Sequence, residues 1–217
     1  EGIKITNSKL SNETANYIDM LYKRMQRRGY LERDCERLVK RDRNLFGALM
    51  VDAGDADVLI TGLTRNYHRA LQQIMHVLNP AEDHHAFGLS LVMSRGQTLF
   101  VADTAVHEVL SAEQIADISE QTAKVARSLG HEPRVALISY SNFGHPELPR
   151  AQVVRDAIGL LNERNVSFEY EGEMTVEIAL NPEVMKNYPF CRLKGPANVL
   201  IMPSLHTSQV STQLLRE

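Results

Sequence analysis

The chain has 217 residues, 43% of them hydrophobic and 24% charged, with a formal net charge of −3. That length allows one or two domains with a real core, and the composition excludes disordered and fibrous classes. The mild negative charge offers no basic surface for nucleic acid or an anionic membrane, and no apolar run reaches the roughly 20 residues of a membrane span. Cys35 and Cys191 are the only cysteines, without metal or disulfide spacing, and no signal peptide is visible. A cytoplasmic, reducing location is expected. The chain begins at Glu1 without a methionine and stops at Glu217, inside what reads as an amphipathic helix. A piece of a longer protein is expected.

Ser11 to Arg28 reads as a helix with Ser11 as N-cap and Ala15, Ile18, Leu21, Tyr22 and Met25 on one face. Lys23, Arg24, Arg27 and Arg28 match the dipole at its end, and Gly29 closes it. Two short helices follow, Leu31 to Lys40 and Leu45 to Ala53. Asp52, Asp55 and Asp57 are explained by turn chemistry and lack calcium-loop spacing. Val58 to Ile60 is an apolar strand that ends at Thr61-Gly62. Thr64, Arg65 and Asn66 then precede a helix from Tyr67 to Leu78, a place suited to an anion. Arg65 is either its ligand or an ordinary surface arginine. His84 and His85 are adjacent and point in different directions, so no metal site is assigned. Phe87 to Ser94 and Gln97 to Ala102 form a hairpin around Arg95-Gly96.

A capping box, Ser111 to Gln114, opens a helix to Leu129, with Ile115, Ile118, Val125, Ala126 and Leu129 inward. Val135 to Ile138 is apolar throughout, as in a strand covered on both faces. Pro149 begins another helix. Phe168 to Tyr170 is a short strand, Met174 to Ala179 and Pro182 to Tyr188 are helical, and Ala197 to Met202 is a buried strand stopped by Pro203. Ser204 to Ser208 leads into a last helix. The alternation implies parallel strands, right-handed crossovers and helices on both faces: an α/β protein.

Parallel strands place the loops after Ile138, Tyr170 and Met202 on one sheet edge, where α/β folds bind ligands. That edge is expected to hold Ser139, Ser141, Asn142, Gly144, Glu171, Glu173, Asn198, Ser204 and His206. The set suits a polar ligand. The chain has no Walker lysine loop, no Gly-x-Gly-x-x-Gly and no Gly-x-Ser-x-Gly, and a serine with a distant histidine defines no triad.

The ordered series Leu45-Phe46-Gly47, Gly54-Asp55-Ala56-Asp57, Thr61-Gly62, Phe100-Val101-Ala102-Asp103, Ala136 to Asn142, Glu171-Gly172-Glu173 and Ala197 to Pro203 resembles the phosphate acetyl/butyryl transferase (phosphotransacetylase) family. The likeness runs over nearly the whole chain. It implies a three-layer α/β/α fold with largely parallel sheets and two subdomains, residues 1–104 and 105–217, each lacking a terminal segment. It also implies a cleft between them for coenzyme A and an acyl phosphate.

Departures from the family pattern concentrate at the ligand loops. Family members carry Ser-Thr and a Gly/Ser-rich turn where Ser141-Asn142-Phe143-Gly144-His145 stands, and Asp-Gly-Glu-Leu-Gln where Glu171 to Thr175 stands. A family lysine is replaced by Pro196, and Asp-Leu-Asn by Ser204-Leu205-His206. The loop after Gly62 is about four residues shorter. His68-Arg69-Ala70-Leu71 occupies the place of a Leu-Arg-Pro-Ala-Leu segment, and the family's late Ser-Arg motif falls beyond Glu217. This pattern resembles the C-terminal phosphotransacetylase-like domain of hybrid NADP-dependent malic enzymes. The resemblance implies a regulatory, oligomerising domain without acetyltransferase activity or catalytic residues of its own. Acetyl-CoA, or another CoA thioester, would be its effector. The domain itself would hold no cofactor, and NADP and a divalent metal would serve the malic-enzyme catalytic domain in the same chain. Arg65, Asn66, Ser139, Ser141, Asn142, Gly144, Glu171, Glu173, Asn198 and His206 are the expected ligand-binding set. The alternatives are a working phosphate acetyltransferase and a purely structural dimerisation module.

Overall fold

The structure, a computed structural model, describes residues 2–82, 84–94 and 96–215. Asp83 of the polar turn, Arg95 of the hairpin turn and the terminal residues Glu1, Arg216 and Glu217 lie outside the described residues. The chain forms two compact units, one up to Ala81 and one from Glu82 onward.

The first unit is helical among its described residues: α1 Thr14–Met25, α2 Glu32–Arg41, α3 Arg43–Asp52 and α4 Tyr67–Met75. A 3₁₀ turn, Gln26–Arg28, follows α1, and Gly29 ends it at φ 85°, a conformation in which glycine carries no Cβ penalty. Helix α1 starts later than expected because Ser11 accepts the Glu13 N–H from outside the helix. Its buried face is Thr14, Tyr17, Leu21 and Met25, so Ala15 lies exposed. Tyr17 explains the rotation. Its ring packs edge-on against Phe46, centroids 5.1 Å apart, and its hydroxyl donates to Asp55. Burial and that carboxylate push the phenol pKa far up. Leu21, Cys35, Val39, Leu45 and Leu49 complete the core.

The strand expected at Val58–Ile60 does not form. No ladder pairs these residues, and Val58 and Ile60 are 72% and 93% exposed. A strand satisfies its backbone only beside another, and this helical unit offers no neighbour among the described residues.

The second unit holds one five-stranded sheet: β1 Leu89–Ser94, β2 Gln97–Ala102, β3 Arg134–Ile138, β4 Glu169–Met174 and β5 Val199–Ile201, in spatial order β1-β2-β5-β3-β4. β1 and β2 form the expected antiparallel hairpin, and the other pairings are parallel. The hairpin therefore belongs to this unit's sheet, whereas the division after residue 104 would assign it to the first.

Alternation along each strand builds two cores. Phe100, Val135, Leu137, Val199 and Ile201 face α5 (Ala112–Ser128) and α6 (Pro149–Glu163). Val101, Ala136, Ile138, Leu200 and Met202 face α7 (Val176–Leu180), α8 (Pro182–Met185) and Leu193. The result is the three-layer α/β/α arrangement. The capping box of α5 is present in both directions, Ser111 Oγ to the Gln114 N–H and Gln114 Oε1 to the Ser111 N–H. Leu129, expected inward, lies past the end of α5 and is half exposed.

β4 is longer than expected. Glu171, Gly172 and Glu173 are strand residues, because pairing with β3 continues past Tyr170 to Met174, with a register shift at Leu137/Ile138. Gly172 is required there: a Cβ would lie 2.7 Å from the Leu137 carbonyl oxygen.

Asp117 of α5 fastens the segment that enters this unit. It meets His85 Nδ1 at 2.9 Å and His84 Nδ1 at 3.3 Å, and accepts the His85 N–H and the Gln121 amide. The two histidines therefore serve a carboxylate, and the described residues hold no cluster of metal-ligand type. Burial pushes the Asp117 pKa up, but the hydrogen bonds from His85 and His84 outweigh it and leave it below the usual carboxylate value. A lowered folded pKa means stability that is present above the unfolded value, about 3.9, and lost as pH falls through the folded one. Asp117→Asn is therefore expected to cost on the order of 1–3 kcal/mol near neutral pH, with the deficit shrinking below about pH 4. Urea unfolding at a series of pH values measures it.

Candidate functional site

At the carboxyl ends of β3 and β5 the second unit carries a small cavity of about 150 Å³. Its apolar side is Leu110, Ile115 and Val154, and its polar side is Ser139, Arg150 and Thr207. Two helix starts line it. Arg150 is the second residue of α6, after Pro149, whose missing N–H costs nothing at a first helical position. Thr207 sits in the first turn of α9 (Leu205–Leu214), where Ser204 is the N-cap and accepts the Thr207 N–H. Free N–H groups and the positive dipole ends at two helix starts favour a negatively charged ligand group, and Arg150 adds a full charge.

Behind Ser139 runs a buried polar network. Its hydroxyl lies 3.3 Å from that of Ser141, and Ser141 donates to Glu173 Oε1 at 2.9 Å. The same oxygen accepts the Gly144 N–H at 2.9 Å and Arg155 Nη1 at 3.0 Å. Glu173 is 0% exposed, and its Oε2 has no partner among the described residues. The loop over it is pinned by its own backbone. Asn142 and His145 exchange N–H···O bonds, Asn142 Oδ1 accepts the Thr175 N–H, and the Glu173 carbonyl accepts the Phe143 N–H. Phe143 and Gly144 take φ values of 50° and 101° to make the turn, and the Phe143 ring packs against Tyr188 and Phe190.

Ser139, Ser141, Asn142, Gly144 and Glu173 thus come together. The others are placed differently. Glu171 is held by Arg192, which reaches both carboxylate oxygens and also donates its backbone N–H; the guanidinium in turn lies 4.5 Å from the Tyr170 ring centroid. The Glu171 bond is the main reason the Arg192 pKa is raised. Asn198 is on the opposite edge. It bonds the Arg134 N–H and the Glu132 carbonyl at the amino ends of β5 and β3, because it precedes its strand. Pro196 accepts from Arg134 at the same end. His206 is an exposed residue in the first turn of α9. Arg150, Arg155 and Thr207 were not singled out from the sequence. An arginine after a helix-starting proline, as at Arg150, is the one local signal that pointed there.

Arg65 and Asn66 belong to the first unit. Asn66 caps α4 by accepting the Arg69 N–H. Arg65 pairs with Asp42 at 3.2 Å and lines a cavity of about 590 Å³ together with Arg37, Arg41 and Arg69. Asp42 is itself the N-cap of α3, accepting the Asn44 and Leu45 N–H groups, and also accepts the Gln73 amide.

A mostly parallel sheet between helix layers, with polar loops and helix starts at its carboxyl edge, defines a three-layer α/β/α protein, a class that receives ligands at that edge. The chain belongs to the phosphate acetyl/butyryl transferase family: the family model described as "Phosphate acetyl/butaryl transferase" matches residues 1–217. It is 50% identical over 216 residues to an NADP-dependent malic enzyme of Rhizobium meliloti, covering 100% of this chain and 28% of that protein. A probable NADP-dependent malic enzyme of Rickettsia prowazekii is 42% identical over 226 residues, covering 100% of this chain and 30% of that protein. The chain thus spans less than a third of the length of these curated relatives. Among solved structures, a phosphotransacetylase (EutD) from Staphylococcus aureus matches with a TM-score of 0.85 at 24% identity, covering 100% of this chain and 67% of that one. At that identity the likeness establishes the fold.

Removing the Glu173 carboxylate leaves Arg155, the Ser141 hydroxyl and the Gly144 N–H without their shared acceptor. Glu173→Ala is expected to cost about 3–5 kcal/mol, the range for breaking a buried charge pair. Glu173→Gln keeps one acceptor and should cost less. Chemical denaturation of the two variants beside the parent checks the order.

Proposed function

We propose that this chain is the regulatory, acetyl-CoA-binding domain of an NADP-dependent malic enzyme, without acetyltransferase activity of its own. In that reading NADP and a divalent metal serve a catalytic part in the same chain, which oxidatively decarboxylates malate to pyruvate. The domain assembles into homo-oligomers and senses the thioester in the cytoplasm. The two malic-enzyme relatives, each matched over the whole of this chain, support the parentage.

The single observation that favours sensing over catalysis is the state of the strand-end loop. An acyl transferase lowers its barrier with donors aimed at the charge that develops on the reacting group. Here the Ser141 hydroxyl and the Gly144 N–H are turned to Oε1 of a buried carboxylate, and Arg155 joins them there. The polar groups that line the cavity are Ser139, Arg150 and Thr207. These are the second unit's ligand contacts in this reading. Pro196 carries no weight in it, because it stands at the amino end of β5. The runner-up is a working phosphate acetyltransferase, favoured by the two helix starts and Arg150 around one cavity, an arrangement able to hold an acyl phosphate.

Calorimetric titration of the full-length protein with acetyl-CoA is expected to show saturable binding, weakened about tenfold or more in Arg150→Ala through loss of a charge-assisted contact. Absence of binding would remove the regulatory reading. Acetyl phosphate and CoA supplied together should yield no acetyl-CoA at enzyme-like rates, and turnover would establish the transferase instead.

A further inference from the structure

The strand-end cavity sets a size on what it holds. Its volume, about 150 Å³, lies well below the roughly 300–1,000 Å³ of sites for larger ligands and matches that of an engineered cavity that takes benzene. About six non-hydrogen atoms fit inside, far fewer than a coenzyme has.

The charge of the lining is one-sided. Among the described residues that line the cavity none is acidic. Arg150 makes no ion pair or side-chain hydrogen bond among the described residues, whereas Arg155 of the same helix is held by Glu173 and Gln152. Helix α6 also starts without a capping side chain, because Leu148 stands at its N-cap. The two hydroxyls are able to donate. Ser139 Oγ lies 3.3 Å from Ser141 Oγ, beyond the roughly 2.5–3.0 Å of a firm O–H···O bond, so its proton is free to turn. Ser204 Oγ is 2.9 Å from Thr207 Oγ1, and when Ser204 donates, the Thr207 proton is left for a ligand. The buried side chains of Leu110, Ile115 and Val154 supply an apolar wall.

We propose that this cavity binds a free short-chain monocarboxylate, an acid of about three or four carbons, as an effector in its own right. The carboxylate takes the Arg150 guanidinium and the hydroxyl protons, and the hydrocarbon tail takes the apolar wall. The acyl end of a thioester is neutral and leaves that charge unanswered, and inorganic phosphate has no tail for the wall. The proposal deepens the regulatory reading of the same site and rests on it only for the cavity's being a ligand site.

Butyrate is the probe, matched to the cavity in size. The full-length protein is titrated by calorimetry with butyrate, acetate, octanoate and butyramide at constant ionic strength. Butyrate should bind saturably. Acetate leaves the wall unfilled, octanoate exceeds the volume, and butyramide has the size without the charge. Each should bind about tenfold more weakly or worse. Arg150→Gln and Val153→Phe, the second filling the cavity from a half-buried position, should each weaken butyrate about tenfold or more. Lys186→Gln, at an exposed residue elsewhere in the second unit, should leave it unchanged. Butyrate binding without acetyl-CoA binding keeps this proposal and removes the coenzyme reading, and acetyl-CoA binding without butyrate binding does the reverse. Butyramide or octanoate binding as tightly as butyrate, or butyrate binding insensitive to both Arg150→Gln and Val153→Phe, also overturns the proposal.

Discussion

The strand-end loop depends on one carboxylate. Glu173 Oε1 gathers a hydroxyl, a backbone N–H and a guanidinium, all within 3.0 Å, in a place with no solvent exposure. A buried carboxylate without such partners costs several kcal/mol, so the partners must come to it. Ser141 and Gly144 reach it only if the chain turns back after Ser141. That turn requires the left-handed conformations of Phe143 and Gly144 and the paired bonds between Asn142 and His145. Arg155 reaches it from α6, which ties the helix to β4. The geometry of the polar loop follows from satisfying this group.

The consequence for chemistry is an inversion of what the residue types suggest. Serine hydroxyls and a glycine amide at the end of a buried strand read as donors waiting for a ligand. In the folded chain two of the three donors face Glu173, and the strand-end cavity is lined instead by Ser139, Arg150 and Thr207. The same logic applies at Glu171. It reads as a second free acid but is held by Arg192. Polar residues near a strand end can hold a ligand or hold the loop, and burial separates the two cases.

Charge is arranged differently in the first unit. There the carboxylate Asp42 is saturated by a helix start and an amide, and the surplus is positive. Guanidinium groups around a cavity favour an anion there, whereas around Glu173 three donors already converge on Oε1.

The helices, the hairpin, the buried strands and the layer order were legible in the sequence, because periodicity and capping are local properties. Val135 to Ile138 had to be covered on both faces. Ser111 and Gln114 had to open a helix. The ordered motifs carried the family resemblance. Tertiary structure decided the rest. The apolar stretch Val58 to Ile60 stays unpaired, since pairing belongs to two segments and one cannot provide it. Asn198 went to the far edge because it precedes its strand, and β4 ran on past Tyr170 because β3 lies beside it. Side-chain partners decided which acids were free. The sequence by itself determined which segments are helices and buried strands and where the capping box opens α5. Which polar groups remain open to a ligand depended on long-range contacts such as Arg155 to Glu173 and Arg192 to Glu171, and spacing along the chain does not encode these.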